Sequence, residues 1–76
     1  MEQLKALAQC GRPWAEARAQ MALDIQSQLQ AGAISADEAQ ELLEDLIRGD
    51  RLDAEADDLD TKNLLVSCVM VAAKLS

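Results

Sequence analysis

The chain has 76 residues, half of them apolar, and 14 of the apolar residues are alanine. A chain of this length forms one domain at most and buries only about 60–65% of its unfolded surface. We therefore expect one helical domain at residues 1–76 that gains stability by associating with itself or with a partner. The absence of His, Phe and Tyr excludes histidine-dependent catalysis, histidine metal ligands and most aromatic stacking on nucleic-acid bases.

The negative charge is concentrated in one third of the chain. The net charge is −7 overall, and residues 37–60 hold eleven acids against two arginines. Because acidic surfaces repel phosphate, we expect neither nucleic acid nor membrane as a partner. We define the acidic band as the carboxylates predicted on exposed helix faces: Glu41, Glu44, Asp45, Asp57 and Asp58. They form either a solvated face that keeps the protein soluble or a surface for a basic partner.

Glycine and proline divide the chain into four helical segments. Gly11 suits the position after a helix end and Pro13 suits the first turn of the next helix, which predicts a short helix at about residues 2–9 and a long one at about 13–31. The long helix has a predicted buried stripe of apolar residues spaced by three and four: Trp14, Ala17, Met21, Ile25 and Leu29. Small residues widen this stripe: Ala15, Ala19 and Ala22.

The third segment begins with the clearest helix start in the chain. Ser35 is followed three residues later by Glu38, which is the capping-box pattern. We predict a helix at about residues 36–48 that ends at Gly49. Its predicted buried stripe contains Ala39, Leu42, Leu43, Leu46 and Ile47. Because the connecting loops are short, neighbouring helices are expected to run antiparallel, giving a small all-α bundle.

The fourth segment predicts one helix at about residues 53–75 with a heptad repeat. Its seam, which we expect to pair with another helix, contains Leu52, Ala56, Leu59, Asn63, Val66, Met70 and Ala73. Asn63 is either a residue at the solvent edge or one that sets the register of a helix pair. A second apolar stripe follows residue 64: Leu65, Cys68, Ala72 and Leu75. This half is apolar nearly all round, which predicts a buried central helix, with Val69 buried, or half of a dimer seam.

Catalytic and metal-binding patterns fail in this sequence. Counted as an EF-hand loop from Asp53, the acidic segment has Asp58 where the turn needs Gly and Leu64 where the calcium site needs Glu. No nucleophile–base pair, phosphate-binding glycine loop or zinc-ligand spacing is present. We therefore expect a protein that is not an enzyme and that holds no cofactor and no metal. Cys10 and Cys68 are expected to be free thiols, since two cysteines do not make a disulfide scaffold.

The stretch at residues 34–46 reads Ile-Ser-Ala-Asp-Glu-Ala-Gln-Glu-Leu-Leu-Glu-Asp-Leu, and a second apolar helix follows it. Over residues 34–75 this pattern resembles the short acidic helical proteins of tailed bacteriophages. Such proteins serve as virion accessory parts, as assembly factors or as inhibitors of host enzymes. The resemblance implies a partner protein, and a location in the cytoplasm of a bacterial host or within a virion.

These features favour a non-enzymatic protein that binds another protein or itself. The first interpretation is a small structural or accessory subunit, a homo-oligomer or part of a larger assembly, that associates through the apolar seam. The alternative is an acidic inhibitor or regulator that binds a basic surface of a host enzyme or a nucleic-acid-binding protein. High salt weakens pairing between charges, whereas apolar association resists salt or tightens.

Overall fold

The computed structural model describes residues 2–48 and 50–75, and within them it contains five helices and no strand. The helices are α1 (Glu2–Leu7), α2 (Pro13–Gln30), α3 (Ala36–Ile47), α4 (Asp50–Glu55) and α5 (Leu59–Leu75). The predicted all-α class is confirmed. The bounds of α2 and α3 each lie within one residue of those predicted.

Gly11 and Gly32 have the left-handed conformation. Gly32 lies two residues after α2, whereas α1 ends at Leu7, before the predicted residue 9, so Gly11 does not directly follow the helix end. The φ angle is 86° at Gly11, after α1, and 77° at Gly32, after α2. The N–H of Gly32 donates to the carbonyl of Leu29 at 3.1 Å, and that of Ala33 donates to Gln28 at 2.9 Å. This pair of bonds is the Schellman motif, in which a left-handed residue satisfies the last carbonyls of the helix.

The start of α3 is the capping box that the sequence predicts. The hydroxyl of Ser35 accepts from the N–H of Glu38 at 3.1 Å, and the N–H of Ser35 donates to Glu38 Oε1 at 3.3 Å. Both bonds satisfy backbone groups that have no partner inside the helix. Gly49, the predicted end of α3, lies outside the described residues.

Arg18 fixes how α2, α3 and α4 meet. Its guanidinium donates to the carbonyls of Trp14 at 3.1 Å and Leu46 at 3.3 Å, and it pairs with Glu55 at 2.5 Å. Arg18 lies in the first half of α2 and Leu46 lies near the end of α3. These two helices therefore run antiparallel, as predicted.

The centre of the core is the small-residue face of α2. Its buried residues are Trp14, Ala15, Ala19, Ala22 and Ile25. The other helices complete the core with Leu4, Leu7, Ala39, Leu43, Leu52, Leu65, Cys68, Val69, Ala72 and Ala73. Ala17 and Met21 are exposed, so the predicted stripe of α2 is wrong at these two positions. The alanines replace them because small side chains let α3 and α5 approach α2 closely.

The predicted single helix at residues 53–75 is wrong in its first third. The chain leaves the helical conformation at residues 56–58, between α4 and α5. Asp58 accepts from the N–H of Thr61 at 3.0 Å and also from its hydroxyl. An acidic side chain in this position caps the N-terminus of a new helix, and that local bond competes with continuation of the preceding helix.

The inward face of α5 is part of the core. Leu65, Val69 and Ala72 are fully buried, and Cys68 donates its S–H to Gln3 Oε1 of α1 at 3.3 Å. Burial raises the pKa of the Cys68 thiol. The expected burial is confirmed for Val69 and for Leu65, Cys68 and Ala72 of the second stripe. The side chain of Leu75, the fourth member of that stripe, lies outside the described ones.

Candidate interaction surface

The opposite side of α5 exposes apolar side chains along its whole length. We define the outward face as the exposed residues Leu59, Asp60, Asn63, Leu64, Ser67, Met70, Val71 and Lys74. Its large apolar side chains are exposed to 67% (Leu59), 44% (Leu64), 48% (Met70) and 56% (Val71). At about 100° per residue these positions share one sector of about 140°. The alternative that this half of the helix is a fully buried central helix is therefore wrong, and its other alternative, half of a dimer seam, stays a prediction.

Apolar residues lie along both edges of the outward face, and polar residues lie between them. Leu59 and Met70 occupy one edge, and Met70 shares a cavity with Ile47 of α3. Leu64 and Val71, seven residues apart, occupy the other edge. The polar residues between the two edges are Asp60, Asn63, Ser67 and Lys74.

The structure divides the predicted seam. Leu52 lies on α4 and Ala56 lies in the break, so the seven residues do not share one helix. The exposed members are Leu59, Asn63 and Met70. The half-buried or buried members are Leu52, Ala56, Val66 and Ala73. Leu64 and Val71 are missing from the predicted seam, although their spacing of seven was a signal that both belong to one face.

Opposite charges stand at the two ends of the outward face. Asp60 lies in the first turn of α5 and Lys74 in the last turn, where each complements the helix dipole. Neither forms an ion pair with another described residue. Ser67 lies midway, and residues seven apart on a helix differ in direction by only about 20°. The face therefore carries an acid, a small residue and a base in one line.

The junction between α4 and α5 is held by residues at the start of α2. Asp57 accepts hydrogen bonds from Trp14 Nε1 at 3.0 Å and from Arg12 Nη1 at 2.9 Å. The Trp14 bond and the Arg12 charge lower the pKa of Asp57, and the bonds from Thr61 lower the pKa of Asp58. These two members of the acidic band thus have partners inside the chain, which the sequence does not predict.

The other members of the acidic band lie on α3. Arg48 pairs with Glu44 at 3.7 Å and with Asp45 at 3.4 Å. Glu41 is exposed and forms no ion pair with another described residue. The acidic band therefore consists of two groups with different partners rather than one continuous set of unpaired carboxylates.

A groove between α2 and α3 exposes two more apolar residues. Met21 and Leu42, both predicted to be buried, are 52% and 42% exposed. The groove has a volume of about 480 Å³, and its polar lining includes Asp24, Gln28 and Asp45. It is a second apolar feature, and two of the residues that line it are carboxylates, Asp24 and Asp45.

Among the described residues, no group of three or more Cys, Asp or Glu side chains is placed to hold a metal ion. No helix in residues 2–48 and 50–75 is long and apolar enough to cross a membrane. Comparisons with protein families, curated proteins and solved structures return no match. The bacteriophage resemblance at residues 34–75 therefore stays a prediction from the sequence pattern.

Proposed function

We propose that this protein is a non-enzymatic structural or accessory subunit that binds a partner protein through the outward face of α5. The observation that carries the proposal is the exposure of four large apolar side chains on one helix. These side chains form two apolar strips, Leu59 with Met70 and Leu64 with Val71, and exposed apolar patches bordered by polar residues mark interaction sites on small proteins. Covering a side chain that is half exposed stabilises a complex by about 1 kcal/mol, so several together supply a specific contact.

The partner that fits this face presents an amphipathic helix. Apolar residues on the two edges of the face, Leu64 and Val71 on one and Met70 on the other, are spaced to receive side chains from a facing helix. The partner is a second copy or another subunit of an assembly. The sequence resemblance favours a phage particle or one of its assembly intermediates. Because the large side chains of the face are apolar, high salt should leave most of the contact intact.

The test replaces two apolar residues of the face and compares them with a matched pair elsewhere. Leu64→Asp combined with Val71→Asp places two charges seven residues apart on the face. Gln20→Asp combined with Ser27→Asp does the same on exposed positions of α2. Sedimentation velocity and native mass spectrometry follow association at low and high salt. We expect the complex to survive high salt, to be lost in the α5 variant and to persist in the α2 variant. Unchanged association of the α5 variant would reject the proposal.

A second candidate function, an acidic regulator, is favoured by the α2–α3 groove. Met21 and Leu42 give the groove an apolar floor, and Asp24 and Asp45 give it a negative rim. Glu41 and Asp45 also line a neighbouring hollow on α3. A basic amphipathic helix has the complementary pattern, with apolar residues for the floor and Lys or Arg for the rim.

Neutralising the rim tests the second candidate without disturbing the α4–α5 junction. The variant combines Asp24→Asn, Glu41→Gln and Asp45→Asn and leaves Asp57 and Asp58 unchanged. Calorimetry with a lysine-rich amphipathic peptide at two salt concentrations measures affinity. We expect weaker binding and a smaller dependence on salt in the variant. Equal affinity and equal salt dependence in both proteins would reject the regulator.

A further inference from the structure

We propose that the partner on the outward face of α5 is a second copy of this chain, packed antiparallel about a two-fold axis at Ser67. The inference rests on the proposed function, and it adds the identity of the partner and the direction of its helix. The line formed by Asp60, Ser67 and Lys74 carries it. The surface of a two-fold interface must be complementary to itself. The line from Asp60 through Ser67 to Lys74 is complementary to itself when it is reversed.

Charge selects the antiparallel arrangement. Asp60 and Lys74 are each seven residues from Ser67, or about 10 Å along the helix axis. With Ser67 facing itself, Asp60 meets the partner's Lys74, and symmetry repeats the pair at the other end. A parallel arrangement would set Asp60 against Asp60 and Lys74 against Lys74. Like charges in direct opposition disfavour that alternative.

The apolar edges match in the same register. When Ser67 faces itself, Leu64 of each copy lies beside the partner's Val71, which gives two symmetry-related apolar contacts about 10 Å apart. On the other edge Asn63 lies beside the partner's Met70. The small Ser67 side chain at the centre lets the two helix axes approach to about 8 Å, the short end of the usual range for packed helices.

The size of the face sets the expected affinity. A standard interface buries about 800 Å² per partner, which is about one sixth of the 4853 Å² surface of this chain. The face extends over the 17 residues of α5, about 25 Å, so the whole length is needed to approach that area. Each copy carries a charge of −7, and repulsion between copies lowers the affinity at low salt. We expect a dissociation constant in the micromolar range at physiological ionic strength.

A disulfide across the two-fold axis tests the register. The background is Cys10→Ser, because Cys10 is the exposed native thiol and Cys68 is buried. Ser67→Cys places one thiol at the proposed axis, and Ser27→Cys places one on an exposed position of α2 as the matched control. Under mild oxidation we expect Ser67→Cys to form covalent dimer at least about tenfold faster than the control. Equal rates would overturn the register.

Charge exchange tests the direction of the helices. Asp60→Lys alone and Lys74→Asp alone each create two like-charge contacts in the proposed dimer, and we expect each to weaken dimerisation about tenfold or more. The double exchange restores opposite charges, and we expect it to bring the dissociation constant back to within about threefold. Circular dichroism of dilute samples checks that each variant keeps its helices. A double variant as weak as the singles would overturn the antiparallel arrangement.

Measurements of self-association distinguish failure of the homodimer from failure of the proposed function. A chain that stays monomeric up to a concentration of about 1 mM overturns the homodimer. The proposed function then still stands if a different protein binds and Leu64→Asp with Val71→Asp abolishes that binding. If the chain associates with itself but that double variant associates equally well, both proposals fail, because the contact lies elsewhere.

Discussion

The two faces of α5 differ in environment although their residues alternate along one short segment. Leu65 is fully buried and its neighbour Leu64 is 44% exposed, while Val69 is fully buried and Val71 is 56% exposed. The inward face packs on α1, α2 and α3. Within the described residues, no helix covers the outward face. The apolar composition of α5 therefore does not distinguish the residues of the core from those of the proposed binding surface. The position of each residue around the helix distinguishes them.

A charge placed on each face of α5 should have the largest and most different effects on the two faces. Val69→Asp buries a carboxylate among apolar side chains with no partner, and we expect it to destabilise the fold by about 3–5 kcal/mol. Since small domains have little stability in reserve, the variant should lose most of its helicity by circular dichroism. Val71→Asp is the matched change on the outward face. We expect it to keep its helicity and to lose only association.

Truncating one leucine on each face should change the stability of the fold by less than a buried charge does, and again by more on the inward face than on the outward face. Leu65→Ala leaves a cavity in the core, and we expect it to lower the free energy of unfolding by about 2–5 kcal/mol. Leu64→Ala removes a partly exposed side chain, and we expect a change of about 0.5–1 kcal/mol. Denaturant unfolding of dilute protein measures both. Comparable losses in the two variants would contradict the assignment of inward and outward faces.

Low pH should destabilise the junction between α4 and α5, where α5 begins. Folding lowers the pKa of Asp57 through Trp14 and Arg12, and that of Asp58 through Thr61. A carboxylate with a lowered pKa stabilises the fold above its unfolded pKa, near pH 4 for Asp, and loses that contribution as the pH falls through its folded pKa. We expect the melting temperature to decline below about pH 4.

Asp57→Asn is the control for the acid effect, because it removes one titrating group and retains the shape of the side chain. The variant should melt at a lower temperature than the original chain at neutral pH, since the charge-assisted bond to Arg12 is weakened. Its decline below about pH 4 should be shallower. An identical pH profile in both proteins would show that Asp57 does not hold the junction.

The helix signals that the sequence predicts correctly are local. Ser35 with Glu38, Gly32 with its left-handed φ, and Pro13 in the first turn all act within a few residues of the chain. Their hydrogen bonds and backbone preferences are fixed by neighbours in sequence. The same signals predict the class of the fold and the bounds of α2 and α3.

The break at residues 56–58 is not determined by the local sequence. Asp58 reads equally well as part of a continuous acidic helix or as the cap of a new one. Two contacts from distant residues, Arg12 and Trp14 on Asp57, help to hold the non-helical conformation. Neither pairing can be predicted from the spacing of residues in the sequence, because the partners are more than forty residues apart.

The all-helical class, the bounds of α2 and α3 and the burial of Val69 follow from local patterns in the amino-acid sequence. Which of the apolar residues on α2, α3 and α5 face inward depends on how the helices pack. A helix with apolar residues on most of its circumference has several orientations of similar hydrophobic gain. The choice among them depends on how closely the alanine face of α2 lets α3 and α5 approach, and on Arg18 and Asp57, which tie distant segments together. Leu64 and Val71 were left on the surface by that choice, and the surface they form is where we propose that this protein binds.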